Sequence, residues 1–101
     1  MNVIITDSAH ENMLQIGRWI ADDNPARALS FVSELEECCK TLGDMPYAYP
    51  VVPRYEAYAV RRRIYRNYLI FYSIDGDNIY VLHVLNARQD VEAILFPCEP
   101  I

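Results

Sequence analysis

The apolar residues of this chain change their spacing once. Ala9, Met13, Ile16 and Ile20 recur at intervals of four, three and four. Ala28, Phe31, Val32, Leu35, Cys38, Cys39 and Leu42 continue at helical spacing. Both sets draw a stripe along one side of a helix, which neither helix can bury alone. The segment DMPYAYPVVPRYE follows, and its Pro46, Pro50 and Pro53 mark a surface loop. Beyond it the period becomes two, in runs rich in tyrosine, isoleucine and valine, as strands prefer. A helical half followed by a stranded half restricts the fold to the α+β class.

Local signals set the boundaries. Residues 3–6 (VIIT) read as a first short strand, and Ser8-Ala9-His10-Glu11 has the form of a capping box opening a helix that ends near Asp22 and Asp23. Asn24-Pro25 then supplies a capping side chain and a proline at the first helical position, and Gly43 supplies a stop. The short link predicts an antiparallel helical hairpin. Strands are predicted over residues 55–65, 68–74 and 79–85, with Asp75-Gly76-Asp77-Asn78 as the hairpin turn between the last two. QDVEAIL offers a last helical turn, and residues 96–101 read as an irregular tail. The expected order is β-α-α-β-β-β in one domain over residues 1–101, the helical hairpin lying on one face of a mainly antiparallel, twisted sheet.

Composition removes several function classes. No apolar run approaches the roughly eighteen residues of a membrane span, and the N-terminus lacks the features of a signal peptide, so a cytoplasmic location without membrane contact is expected. Cys38, Cys39 and Cys98 lack the spacing of a zinc site or a disulfide framework, and His10 and His83 lie far apart, so no metal is expected. Gly17, Gly43 and Gly76 are the only glycines and form no phosphate-binding loop, so no cofactor is expected either. No nucleophile–base pair stands out, and no catalytic residue is assigned.

Charge is the uneven feature. The net charge is -5, yet five of the nine basic residues fall between Arg54 and Arg66. Arginine beside tyrosine can bind phosphate and stack bases, and can equally dock an acidic amphipathic peptide.

The run NYLIFYSIDGDNIYVLHVLNARQD resembles the C-terminal half of the RelE/ParE superfamily, the toxin components of bacterial toxin–antitoxin pairs. The shared features are a Tyr-led strand with an apolar-apolar-aromatic-Tyr run, an acidic-Gly turn, a second apolar strand and Ala-Arg-Gln-Asp. DDNPARALSFVSEL is similar to the family's helical hairpin, and the resemblance extends from residue 3 to about residue 95. It divides into ribosome-dependent messenger-RNA endonucleases of the RelE type and ParE-like gyrase poisons. The ribonuclease branch places an arginine directly after the Tyr that opens the central strand, where this chain has Leu69 after Tyr68. It also carries lysines in the preceding strand and a C-terminal Tyr or His, whereas Lys40 is the only lysine here and DVEAILFPCEPI has neither. The resemblance therefore implies a ParE-like toxin that binds DNA gyrase without covalent chemistry. The alternatives are a RelE-type endonuclease and a non-toxic relic that only binds antitoxin.

The resemblance also implies a cognate ParD-like antitoxin, an extended chain with an amphipathic helix, and no sequence-specific nucleic-acid binding by the toxin alone. Candidate antitoxin contacts are Ile16, Trp19, Ile20, Phe31, Leu35 and Tyr55, through the helical groove or through a sheet edge at residues 3–5 or near Tyr55. Strand parity divides the arginines. Arg62 shares a side with Val60 and Ile64, the more apolar side, and is expected to meet the helices in a structural role; a structural role is also expected of Tyr72. Arg61 and Arg63 then point outward, and with Arg66, Tyr68 and Arg88 form the candidate target-binding set.

Overall fold

The computed structural model describes residues 1–53 and 56–95. Its elements are β1 (Asn2–Ile5), α1 (Asp7–Ala21), α2 (Pro25–Lys40), β2 (Arg61–Tyr65), β3 (Tyr68–Asp75), β4 (Asn78–Asn86) and α3 (Val91–Leu95), with 3-10 turns at Thr41–Gly43 and Glu56–Tyr58. The sheet order is β1-β4-β3-β2. β4 pairs antiparallel with β3 and β3 with β2, while β1 joins parallel to β4, Val3 opposite Ile79. The helical pair lies against this sheet, and the α+β architecture is the expected one. The tail at residues 96–101, including Cys98, lies outside the described residues.

Two boundaries differ from expectation. The cap of α1 is Thr6, whose hydroxyl oxygen accepts from the Ala9 amide at 3.2 Å, so Ser8 lies inside the helix. The same hydroxyl donates to the Val81 carbonyl at 2.7 Å, which fastens the end of β1 to β4 and favours Thr6 over Ser8. The second correction concerns β2, which begins at Arg61. Residues 56–58 form a turn, and Ala59 has φ 55, a left-handed conformation that interrupts an extended run. The Asn24 cap is as expected, its Oδ1 accepting from the Arg27 amide at 3.1 Å, with Pro25 opening α2.

Alternation along β3 gives the sheet two covered faces. Tyr68, Ile70 and Tyr72 turn toward the helices and bury against Ala9, Met13, Phe31, Leu35, Cys39 and Leu42. Leu69 and Phe71 turn the other way, into a smaller cluster with Val52, Val60, Leu82, Leu85 and the α3 residues Val91, Ile94 and Leu95. Two glycines permit close approaches. A Cβ on Gly17 would lie 3.1 Å from Val32, and one on Gly43 would meet the Met1 carbonyl oxygen at 2.7 Å. A β-bulge at Leu82 shifts the β3–β4 register, with Phe71 opposite His83 but Tyr72 opposite Val81.

Candidate functional site

The arginine run lies on β2 and the turn that follows it. Arg61 donates to the Tyr49 carbonyl at 2.6 Å, with its guanidinium 5.1 Å from the Tyr47 ring centre. Arg63 donates to the Cys38 carbonyl and to Thr41 Oγ1, both at 2.7 Å, and lies over the Tyr49 ring. Both therefore point to the side that carries the helices and the proline loop. The faces are the reverse of those expected: Arg62, opposite Phe71 on β3, shares the α3 side with Val60. On that side Val60, just before β2, joins the smaller cluster, whereas Ile64 is exposed. Tyr72 is fully buried beneath Arg61, and its hydroxyl donates to the Pro46 carbonyl at 2.7 Å. Burial pushes its phenol above the ordinary tyrosine range.

Arg66 occupies the β2–β3 turn with φ 54 and is exposed. It stands at one end of a cluster centred on Glu34. Arg27 donates to the Glu34 carboxylate, the Tyr65 hydroxyl donates to it as well, and Arg66 Nε lies 3.8 Å away. The hydrogen bond from Arg27, then that from Tyr65, hold the Glu34 pKa below its ordinary value. Tyr68 is buried against Phe31, ring centres 5.3 Å apart. Arg88 is exposed in the turn after β4.

The antitoxin candidates separate by depth. Trp19 is 69 % exposed, Ile16 and Ile20 are half-buried at the core edge, and Phe31 and Leu35 are core residues, Leu35 with no exposure at all. Phe31 and Leu35 can support a groove from beneath but not line its surface; Tyr55 lies outside the described residues. An apolar groove of about 570 Å³ opens between α1 and α2 beside Leu14, Gly17, Leu29 and Val32. Leu29, 77 % exposed, is not among the sequence candidates, although a leucine outside the buried stripe of α2 is a readable signal. Of the two expected edges, β1 pairs among the described residues only with β4, whereas β2 is crossed by residues 50–52 through Val52 N–H to the Val60 carbonyl and Arg62 N–H to the Pro50 carbonyl.

A second concavity, of about 280 Å³, lies between α1 and the end of β4. Its walls are Asn12, Gln15, Ile16, Trp19, Tyr68, Val84, Asn86 and Gln89. None of these amides was singled out by sequence pattern, because helix, strand and turn bring them together from three parts of the chain. Among the described residues there is no grouping of three or more metal-ligating side chains. Cys38 and Cys39 are buried thiols, Cys39 pushed up to about 12 by desolvation, which makes it a poor nucleophile. No helix among the described residues is long and apolar enough to cross a membrane.

Residues 3–91 match a family described as "ParE toxin of type II toxin-antitoxin system, parDE". Among solved structures the fold is similar to a chain of the "Chromosomal ParDE TA system from P. aeruginosa", with a TM-score of 0.74 and 21 % identity over 85 % of this chain and 95 % of that one. No curated protein matches the sequence significantly.

Proposed function

The chain belongs to the ParE toxin family of type II toxin–antitoxin systems, and from that premise we propose that it poisons DNA gyrase by binding and is neutralised by a cognate antitoxin. The observation that carries the gyrase reading is the surrounding of Leu69. The ribonuclease branch has an arginine at this place after the Tyr. Here the side chain packs with Phe71, Leu85 and the α3 residues in an apolar cluster. Cleavage through a ribose hydroxyl needs a base, a proton donor for the leaving oxygen and cations at the phosphate. An apolar cluster under α3 supplies none of these at that place.

Arg66 and Arg88, exposed at the same end of the sheet as the β2–β3 turn, are the target contacts in this reading. Arg61 and Arg63 act as scaffold, since their guanidinium groups are held by carbonyl oxygens. The antitoxin lays an amphipathic helix into the groove beside Leu29 and Leu14, and an extended segment of the antitoxin runs on past it. Incubation of the purified chain with gyrase and supercoiled plasmid tests the target: linear, gyrase-linked DNA is the expected product. Site-specific cleavage of ribosome-bound message, seen by primer extension, would replace this reading with the endonuclease one.

A further inference from the structure

The cleft between α1 and the end of β4 has an unusual polarity. The Asn12 carboxamide oxygen accepts from the Val84 amide at 3.1 Å and faces His83 Nδ1 at 3.0 Å. The Gln89 oxygen accepts from the Asn86 amide at 2.7 Å, and the Asn86 side-chain oxygen accepts from the Arg88 amide at 2.9 Å. A backbone N–H can only donate, so each contact identifies the oxygen and fixes which way the carboxamide points. Three oxygens are thus tied to the main chain, and the three NH₂ groups have no acceptor among the described residues. The bulge at Leu82 explains part of this, because Val84 faces away from β3 at a level that β1 does not reach, and Asn12 takes the place of the absent strand. The result is a concavity in which three of the four carboxamides keep an uncommitted donor, while Gln15 and Tyr68 can each donate or accept, with Trp19 and Ile16 as apolar walls and no carboxylate or cation in its lining.

Such a lining selects acceptors. Among protein side chains only ionised Asp and Glu are strong acceptors that offer no donor. Nucleic acid is disfavoured, since its affinity comes chiefly from phosphate contacts with Lys and Arg, and no such residue lines the cleft. We propose that the Asn12–Asn86–Gln89 cleft binds a carboxylate side chain of the antitoxin, with Trp19 covering the residue that carries it. The identity of the partner rests on the toxin–antitoxin reading; the acceptor chemistry rests on the three amide orientations.

The test uses the full chain and its full-length antitoxin. Gln89→Glu and Asn86→Asp each keep the oxygen that accepts from the main chain and replace the free NH₂ by a second oxygen. Melting temperatures should stay near that of the parent, while affinity for the antitoxin falls about tenfold or more, the scale of one charge-assisted hydrogen bond lost. Replacing one acidic residue of the antitoxin at a time by its amide should find a position that restores binding to the Gln89→Glu chain. Trp19 is the only tryptophan, so its fluorescence reports occupancy directly. Unchanged affinity of both variants overturns the proposal, as does a loss that no acidic position restores. Quenching of Trp19 by single-stranded DNA at low micromolar concentration would overturn it in favour of a base-binding cleft. If the unmodified chain fails to bind the antitoxin at all, the toxin–antitoxin reading fails and the proposal fails with it.

Discussion

Arg63 reaches from β2 to the Cys38 carbonyl oxygen, 2.7 Å away, and so closes the C-terminal turn of α2. The last carbonyls of a helix have no partner within it and carry the negative end of its dipole, which makes a guanidinium a fitting cap. The contact ties the helical layer to an edge strand, since among the described residues the β2 backbone pairs only with β3 and with residues 50–52.

Arg63→Ala should therefore destabilise the fold by about 1–3 kcal/mol, the usual cost of stranding partly buried acceptors. Arg62→Ala should change stability by less than about 0.5 kcal/mol, as is usual for a substitution away from such contacts. Urea melts of the two variants decide the matter. Equal losses would sink the assignment of Arg63 as the structural arginine.

Tyr72→Phe removes the bond to the Pro46 carbonyl but keeps the buried ring. A loss of about 1 kcal/mol is expected, together with faster amide exchange in the proline-rich loop. Unchanged exchange would mean that the loop is held elsewhere.

Two groups give the stability a pH dependence in the acid range. Glu34 has a depressed pKa, so its contribution is complete above the unfolded-state value and is lost as pH falls through the lower folded-state value. Desolvation holds His83 below its ordinary value, so the native state resists its protonation, and stability declines as pH falls from the unfolded-state value toward the folded one. Glu34→Gln should flatten the lower part of the stability–pH curve, and a substitution at His83 the part nearer neutrality. Thermal melts across that range provide the measurement; a parent curve that Glu34→Gln leaves unaltered would remove Glu34 from the account.

Leu29→Asp places a charge on the helical-hairpin groove at a site already 77 % exposed. Melting temperature should change little, while antitoxin affinity should fall at least tenfold, as burial of a leucine is worth about 1.5–3 kcal/mol. Titration calorimetry reads the outcome, and retained affinity would move the antitoxin helix away from this groove.

Arg66→Ala combined with Arg88→Ala should reduce growth inhibition without weakening antitoxin binding. Cells expressing the double variant, beside a pull-down of the antitoxin, show both effects. Full toxicity would leave the exposed arginines as solvated charges only.

Much of this architecture follows from local pattern. The change of apolar period separates helices from strands, Asn24-Pro25 starts α2, and Asp75-Gly76-Asp77-Asn78 turns β3 into β4, Gly76 taking φ +60. Each signal acts over a few residues, through dihedral preference or one side-chain hydrogen bond. Three things were decided only by the tertiary structure. β3 is apolar on both faces, so alternation in β2 divides Arg61 and Arg63 from Arg62 without saying which side the helices cover. Thr6 takes the cap from Ser8 because Val81, far away in sequence, accepts its proton. The amide cleft exists because β1 stops short of the bulge in β4, which leaves Asn12 to satisfy Val84 and brings helix, strand and turn around one space. Local periodicity encodes the kind of element and its alternation. The face a sheet presents, and the partner a side chain finds, depend on how distant segments pack.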